Sequence, residues 1–319
     1  MLRGRARVWG ALAVVCAVVV ASLGASIAAS IPGATTASAE ANLDPYKGLG
    51  TWVDVFDYAP RLQGADALPR VTPESTVDMA KLGVRTLYLQ VANPDDAPST
   101  SLTDAATLRA IVRSAHDNHL LVVAWFLPYV SDLTKDDQFV RSIIKLRVGG
   151  RGFDGLALDI EDTKAVPDVA QRNDRVVELA RRARAAMNSD MALGGIVYPA
   201  VQLDVVNPTL WPSFPYKRLD ASIDVWMPMA YFTFRDVESG YRDAFTYSDE
   251  SVARLRSHLD DDHAPIHLVG GIADAVTPAD VAGFLRAAKD IDAVGYSLYD
   301  YSTTFSTAWP ALRRGTSTG

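Results

Sequence analysis

Two acidic residues that are separated by one position, Asp159 and Glu161, end the apolar run Gly155–Glu161. Successive side chains of a strand point to opposite faces, so Ala157, Asp159 and Glu161 are expected to share one face. Two carboxyl groups so close together cannot both ionise freely, and the pair is expected to hold one proton tightly. Such a proton suits the acid-catalysed cleavage of a sugar–sugar bond. A structural pair that binds loop amides is the alternative interpretation.

The ends of the neighbouring apolar runs supply further acidic and aromatic residues. Carboxyl groups next to aromatic rings are typical of carbohydrate sites, because the rings stack on sugar faces while the carboxyl groups handle protons. None of the five histidines stands at such an end, so neither a histidine triad nor a histidine metal site is predicted. Each aromatic residue could instead belong to the core, and each acid could cap a loop. The candidate ligand contacts are Asp54, Asp57, Gln90, Trp125, Asp154, Tyr198, Met229, Tyr299 and Asp300.

The runs that position these residues are short, rich in β-branched and aromatic residues, and separated by segments with helical periodicity. Strands that alternate with helices predict a parallel sheet with crossover helices. Eight such units in roughly 260 residues are typical of a closed (β/α)8 (TIM) barrel, in which the active site lies at the carboxyl ends of the strands. The eight predicted strands are 51–58, 84–91, 120–127, 155–161, 192–198, 224–231, 266–272 and 294–299.

The signals for helices and domain boundaries agree with one barrel. Thr277 precedes a proline and is a predicted helix cap, and Gly83 is a predicted helix end. Between the fifth and sixth strands only a short helix fits, near 210–219, in a loop rich in Pro and Trp that is a candidate cleft wall. No linker or low-complexity segment divides the region, so we predict a single domain over residues 45–313.

Residues 1–39 have the pattern of an export signal. Three arginines precede the apolar run 8–29, and the small residues Ala37-Ser38-Ala39 form a cleavage pattern. An uncleaved membrane anchor is the alternative, because the apolar run is long enough to span a bilayer. Either reading predicts a secreted or cell-envelope protein whose domain lies outside the cytoplasm. Cys16, the only cysteine, lies inside the apolar run, so a cysteine nucleophile is excluded from the domain.

The charge balance restricts the partners. The chain has a formal net charge of −7, and residues 1–39 contain three arginines and no acid, so the remainder carries −10. An acidic domain is a poor candidate for binding nucleic acid or an anionic lipid surface. We therefore expect an oligo- or polysaccharide partner, no nucleic acid, no membrane insertion beyond the N-terminal segment, and no cofactor or metal.

The stretch Asp154–Glu161 resembles the signature of family-18 glycoside hydrolases, the chitinase-like enzymes, whose pattern is Asp-Gly-x-Asp-x-Asp-x-Glu. This chain matches the pattern except at Ala157, where the family has its first inner aspartate. Met229-Ala-Tyr231 is similar to the family's Met-x-Tyr at the sixth strand, although Phe232 follows where the family has Asp or Asn. Tyr299 or Tyr301 stands where the family often has a tryptophan.

The resemblance implies roles for three residues. Glu161 would be the general acid that protonates the glycosidic oxygen, and Asp159 would orient the N-acetyl group of the substrate, whose carbonyl oxygen attacks the anomeric carbon. Tyr231 would donate a hydrogen bond to that group. The resemblance thus implies a hydrolase acting on an N-acetylated polysaccharide such as chitin or peptidoglycan. Ala157 removes the aspartate that shares the proton of Asp159 in the family, which puts this chemistry or its rate in question.

Three alternatives stay open from the sequence. A weaker resemblance, to the family-25 lysozyme-like hydrolases, rests on the Asp-x-Glu ending and on Val53-Asp54-Val55, but eight full βα units argue against it. A second possibility is a glycosidase that pairs Glu161 with Asp57 or Asp300 and acts on a glycan without acetyl groups. A third is a carbohydrate-binding barrel without catalysis, which Ala157 favours and the retained Glu161 disfavours.

Overall fold

The computed structural model describes residues 41–63, 67–92 and 101–315. In it eight parallel strands form a closed barrel in which each strand pairs with the next and the eighth pairs with the first. This confirms the predicted (β/α)8 fold. The strands are β1 Gly48–Val53, β2 Thr86–Ala92, β3 Leu121–Phe126, β4 Gly155–Ile160, β5 Leu193–Val197, β6 Val225–Ala230, β7 His267–Ile272 and β8 Gly295–Tyr299.

Helices follow the strands and cover the outside of the barrel. A π-helix over Gln202–Val206 follows β5, and a 3-10 turn over Phe232–Phe234 follows β6, so both lie at the carboxyl ends of the strands. The described α-helices are α1 Val55–Tyr58, α2 Pro60–Gln63, α3 Ser75–Lys81, α4 Ala105–Asp117, α5 Leu133–Lys145, α6 Val169–Ala186, α7 Tyr216–Asp220, α8 Ala244–Leu259, α9 Pro278–Asp290 and α10 Trp309–Gly315.

Side-chain alternation along β4 divides two hydrophobic layers. Leu156, Leu158 and Ile160 pack in the layer between the sheet and the helices. Ala157 lies in the barrel interior, in a second layer that also contains Trp52 and Met227. The predicted alternation along β4 is therefore confirmed, and it places Asp159 and Glu161 on the interior side, above this second layer.

Local sequence signals set the ends of several elements. Thr277 caps α9 in a reciprocal capping box with Asp280, as a threonine before a helix-starting proline predicts. Gly83 has φ +85°, a conformation that glycine adopts without strain, and it ends the helical turn before β2. The first strand is shorter than predicted, because Asp54 accepts hydrogen bonds from the backbone of Phe56 and Asp57 and so starts α1 directly after Val53.

The loop between β5 and β6 differs in part from its prediction. The short helix is α7, and the π-helix precedes it. Trp211 of this loop is buried against α6, where its Nε1 donates to Asn173 Oδ1 at 2.7 Å and the guanidinium of Arg172 lies 4.2 Å from its ring. The tryptophan therefore anchors the loop to the barrel, and the cleft-facing part of the loop is Pro199 and Gln202.

The predicted signal or anchor segment, residues 1–39, lies outside the described residues. Within the part of the chain that the structure does describe, no helix has the length and apolar character needed to cross a membrane.

Candidate active site

The carboxyl pair lies at the mouth of the barrel. Asp159 is on β4 and is 5% exposed, and Glu161 is the first residue after the strand end and is partly exposed. The Oδ1 atom of Asp159 is buried and has no hydrogen-bond partner among the described residues. A buried carboxyl oxygen without a partner is costly, which favours the functional interpretation of the pair over the structural one.

Burial and neighbouring charge both favour the protonated forms of the pair. Burial raises the pKa of Asp159 well above its usual range, and the negative charge of Glu161 adds to this effect. Burial also raises the pKa of Glu161, with a further contribution from the charge of Asp162. The pair therefore retains a proton at a pH at which ordinary carboxyl groups have lost theirs, which is the property required of a general acid.

The layer beneath the pair is apolar and aromatic. Ala157 is fully buried in it, and its Cβ would lie 3.2 Å from a Cβ added to Gly194 on β5, so the two strands approach closely at this level. Trp52 stacks on Tyr88 with ring centroids 4.5 Å apart, and they fill the barrel interior. With alanine at 157, this layer contributes no carboxyl group from β4 that could exchange a proton with Asp159.

A short polar chain fixes the orientation of Trp52. Its Nε1 donates to Ser297 Oγ at 2.8 Å, and Ser297 contacts His267 Nε2 at 2.9 Å. His267 Nδ1 donates to the backbone oxygen of Tyr46 at 2.8 Å. Burial lowers the pKa of His267 to about 4, so the ring is neutral and supports the barrel interior rather than handling protons at the mouth.

Aromatic rings lead from this interior to the surface. Tyr299 lies 6.3 Å from Trp52 and 6.1 Å from Tyr231 between ring centroids, and Tyr231 lies 5.8 Å from Phe234. Phe234 is 63% exposed. Burial raises the pKa of Tyr231, and the charges of Asp159, Glu161 and Asp300 act in the same direction. Tyr231 thus lies within electrostatic reach of the carboxyl pair and remains a hydrogen-bond donor at every physiological pH.

Glu161 and Tyr231 open into a cleft of about 280 Å³ at the ends of β4, β5 and β6. Tyr198 forms part of its wall, and its hydroxyl donates to the backbone oxygen of Glu161 at 3.2 Å. Tyr198 therefore links the end of β5 to the residue that carries the second carboxyl group. The lining residues are Glu161, Tyr198, Pro199, Gln202, Met229, Tyr231, Phe234, Arg235 and Tyr247.

Asp54, Asp57 and Asp300 form a separate acidic group at the ends of β1 and β8. They are the group of described residues with spacing suited to a metal ion, with one oxygen of each lying within 4.8 Å of the others. Each already has a local partner. Asp54 caps α1 and accepts from Tyr299 Oη at 2.9 Å, and Asp300 accepts from the backbone nitrogen of Thr303 at 2.9 Å. These bonds explain the three carboxyl groups as supports of two loops.

Asp57 is the most deeply buried member of this acidic group. Burial raises the pKa of Asp57 to about 6, with contributions from Asp54 and Asp300. Asp57 is 1% exposed and accepts a long hydrogen bond, 3.4 Å, from the backbone nitrogen of Asp54. Gln90 completes this corner, since its side-chain oxygen accepts from Val55 N at 3.0 Å. The structure therefore places Asp57 and Gln90 in the support of the first loop.

Trp125 lies in the buried layer below the carboxyl pair. It is 5% exposed, its ring centroid is 5.9 Å from that of Trp52, and it pairs in register with Ala157. Its Nε1 is buried without a partner among the described residues. The structure thus places Trp125 in the floor of the site, whereas Tyr198, Met229 and Tyr231 line the cleft itself.

Asp154 corrects an expectation from the sequence. It precedes β4 at the amino end of the strand, and six residues of strand, about 20 Å, separate it from the mouth where Glu161 lies. Its carboxyl group contacts His116 at 3.0 Å and Arg151 at 2.6 Å, and it accepts from Val122 N at 2.8 Å. Asp154 therefore joins β3, β4 and α4 at the bottom of the barrel and does not contact a ligand at the mouth.

Five residues that line the cleft were not predicted from the sequence: Pro199, Gln202, Phe234, Arg235 and Tyr247. Phe234 and Arg235 follow Tyr231 within four positions, so the loop after the sixth strand offered a signal through its proximity to a proposed site residue. Gln202 and Tyr247 gave no comparable signal, because each belongs to a helix that the strand-end rule does not consider.

No protein-family model matches the chain, and no curated protein matches it. Solved structures do resemble it. One is a mutant GH18 chitinase from Cycas revoluta in complex with (GlcNAc)4, with a TM-score of 0.60, 15% identity, and coverage of 84% of this chain and 99% of that chain. Another is the spore cortex-lytic enzyme SleL from Bacillus cereus, with a TM-score of 0.62, 9% identity, and coverage of 84% and 74%.

The chitinase-like agglutinin from Robinia pseudoacacia is also similar, with a TM-score of 0.56, 12% identity, and coverage of 83% of this chain and 98% of that chain. At these identities the likeness concerns the fold. It agrees with the first of the two resemblances stated from the sequence, and the second is not needed to explain it. The chain has the (β/α)8 fold of the chitinase-like proteins.

Proposed function

We propose that this protein is a glycoside hydrolase that cleaves a β-linked, N-acetylated glycan with Glu161 as the general acid. The observation that carries the proposal is the carboxyl pair at the barrel mouth, with Asp159 buried and Glu161 partly exposed, both with raised pKa values. Glu161 lines an open cleft, so its proton can reach a glycosidic oxygen. Similar folds in chitinases and a cortex-lytic enzyme support the choice of an N-acetylated glycan.

The other groups have defined tasks in this mechanism. Asp159, buried beneath the cleft, positions the acetamido group of the sugar, so that the carbonyl oxygen of that group attacks the anomeric carbon. Tyr231 donates a hydrogen bond to the acetamido oxygen and lies near both carboxyl groups. Phe234 and Tyr198 line the cleft and supply aromatic rings for contact with the sugar. No protein nucleophile is required for this route.

The test is hydrolysis of a small glycan panel by the domain, with N-acetylglucosamine oligomers, peptidoglycan and a cellulose oligomer as substrates. Glu161→Gln should lower kcat by roughly 10²- to 10⁴-fold, the usual contribution of a general acid. Glu238→Gln is the matched control, because Glu238 is an exposed glutamate in the loop after β6. Equal activity of the wild type and Glu161→Gln would disprove the role of Glu161.

A carbohydrate-binding barrel without catalysis is the second candidate, and Ala157 is the observation that favours it. The apolar layer offers Asp159 no carboxyl partner from position 157, and a chitinase-like agglutinin shares the fold. Under this reading the wild type binds a glycan of the panel without cleaving it, and Glu161→Gln changes affinity only. Product formation by the wild type and not by Glu161→Gln supports the hydrolase, whereas binding without product formation supports the carbohydrate-binding barrel.

We also propose that the protein is exported through the segment 1–39 and acts in the cell envelope or outside the cell. The basic start, the apolar run 8–29 and the Ala37-Ser38-Ala39 pattern support this. Cell fractionation with mass spectrometry of the N-terminus is the test. A mature protein that begins near residue 40 indicates cleavage, a membrane-bound full-length chain indicates an anchor, and a cytoplasmic chain refutes the proposal.

A further inference from the structure

The cleft contains a cation that the proposed mechanism does not use. Arg235 follows the 3-10 turn after β6 and lines the same cleft as Glu161. It makes no ion pair with any carboxyl group in the described part of the chain. Its Nη1 donates to Gln202 Oε1 at 2.7 Å, and Gln202 lines the cleft as well. The charge of this guanidinium is therefore not balanced by a carboxylate of the protein within bonding distance.

Most of the hydrogen-bond capacity of Arg235 is unused. A guanidinium carries five N–H donors, and only the bond from Nη1 to Gln202 is formed with a described residue. Nε is buried and has no acceptor among these residues. An unpaired buried donor costs free energy, so a ligand that supplied an acceptor to this group would gain binding free energy.

The arrangement selects the chemistry of that ligand. The bond to Gln202 orients the guanidinium through Nη1 and leaves Nε and Nη2, whose parallel N–H groups match the two oxygens of a carboxylate. The nearby carboxyl groups do not strongly oppose an anion, because burial raises the pKa values of both Asp159 and Glu161 and so favours their neutral forms. A neutral glycan offers single hydroxyl or carbonyl acceptors to this fork but not the paired, charged oxygens of a carboxylate.

We propose that Arg235 forms a subsite for a carboxylate carried by the sugar at or next to the scissile bond, and that Gln202 positions the guanidinium. The substrate class would be an acidic N-acetylated glycan, such as one with a lactyl ether on alternate sugars, rather than a neutral polymer. This inference rests on the proposed glycoside hydrolase function. Because Glu161 and Arg235 line one cleft of about 280 Å³, the carboxylate and the cleaved bond must lie close together.

The experiment measures binding without turnover, in the full chain with Glu161→Gln. Isothermal titration compares three tetrasaccharides: the N-acetylglucosamine tetramer, the alternating N-acetylglucosamine–N-acetylmuramic acid tetramer, and the same acidic tetramer with its carboxyl groups converted to methylamides. The acidic tetramer should bind about 10- to 100-fold more tightly than its methylamide, the range expected for a hydrogen-bonded charge pair. The preference should weaken as salt is raised.

Two variants in this background locate the preference. Arg235→Met should reduce the ratio of the two affinities to near one. Gln202→Glu should do the same while retaining the arginine, because the new carboxylate next to Nη1 would neutralise the charge of the guanidinium. Arg113→Met is the matched control, since Arg113 is exposed on α4 and its loss changes the net charge equally. The control should keep the ratio of the parent.

The outcomes separate this proposal from the proposed function. Three results would overturn the carboxylate subsite. The affinities for the acidic tetramer and its methylamide could be equal in the parent, the preference could persist in both Arg235→Met and Gln202→Glu, or no tetramer could bind. If the wild-type protein cleaves the neutral tetramer and the affinity ratio is near one, the hydrolase proposal is supported and the subsite is rejected. If the preference for the acidic tetramer depends on Arg235 but the wild-type protein cleaves no glycan, the subsite is supported and the hydrolase proposal is rejected.

Discussion

The protonation of Asp159 predicts a specific dependence of stability on pH. An aspartate in an unfolded chain has a pKa near ~4, whereas burial and the charge of Glu161 raise the pKa of Asp159 in the folded chain. Between these two values the folded state holds a proton that the unfolded state has released. This contribution to stability is fully present below the unfolded pKa and is lost as the pH rises towards the folded pKa.

Asp159→Asn isolates this effect, because asparagine has nearly the same shape and does not titrate. The difference in unfolding free energy between wild type and variant should change by up to about 1.4 kcal/mol per pH unit, with the wild type losing stability as the pH rises above about 4.5. Titrating groups away from the pair are common to both proteins and largely cancel in the difference, whereas the interaction with Glu161 is part of the measured change. The variant should therefore gain stability relative to the wild type as the pH rises from 4.5.

The assay is urea unfolding followed by tryptophan fluorescence at pH 4.5, 5.5, 6.5 and 7.5, with the m-values compared to verify that the same transition is measured. Glu238→Gln is again the control, since it removes one carboxyl group from the exposed surface and changes the net charge equally. A difference that is constant with pH, or one in which wild type gains stability as pH rises, would refute the reasoning. Either result would mean that Asp159 is a stabilised carboxylate, as the structural interpretation of the pair requires.

Three further predictions concern the site and its supports. If Glu161 is the acid, activity should decline on the alkaline side at a pH above the ordinary glutamate pKa. Asp162→Asn should move this decline to lower pH, because the charge of Asp162 raises the pKa of Glu161. A pH–rate profile that the substitution leaves unmoved would contradict the role of Glu161. Asp154→Ala should lower the free energy of unfolding by about 2–4 kcal/mol, since the contacts with His116, Arg151 and the backbone nitrogen of Val122 are lost. The kcat of the folded fraction in the glycan assay should be unchanged. Tyr299→Phe should cost about 1–3 kcal/mol in urea unfolding by removing the bond to Asp54, and a cost below ~0.5 kcal/mol would show that this bond is replaced by water.

The barrel was predictable from the sequence because its strands are buried on both faces. Such strands appear as short apolar runs, and all eight were found within a few residues of their actual positions. The alternation along Leu156, Ala157 and Leu158 also followed from the period of two. The end of β1 was misplaced because the capping of α1 by Asp54 competes with strand continuation, and the apolar residues Val55 and Phe56 suit either structure.

The site was only partly predictable. Strand-end position correctly grouped Glu161, Tyr198 and Tyr231 in one cleft. It misassigned Asp154, because a motif written as one string spans both ends of the strand, and its first residue stands about 20 Å from its last. Gln202 could not be found, since its place in the cleft depends on a π-helix whose geometry no local sequence signal indicates.

The proton of Asp159 links the unusual alanine to the proposed chemistry. A carboxyl group below Asp159 would give that proton a second location, as the resemblance implies for family members with aspartate at this position. Ala157 and the apolar layer beneath the pair remove that location, while Asp159 Oδ1 keeps no partner among the described residues. The proton therefore has Glu161 as its nearest exchange partner, and the two carboxyl groups must act as one titrating unit. Catalysis under this constraint requires the substrate itself to provide a hydrogen bond to Asp159, which the acetamido N–H of an N-acetylated sugar can do and an unsubstituted hydroxyl does less well. The same alanine that weakens the resemblance thus strengthens the case for an N-acetylated ligand.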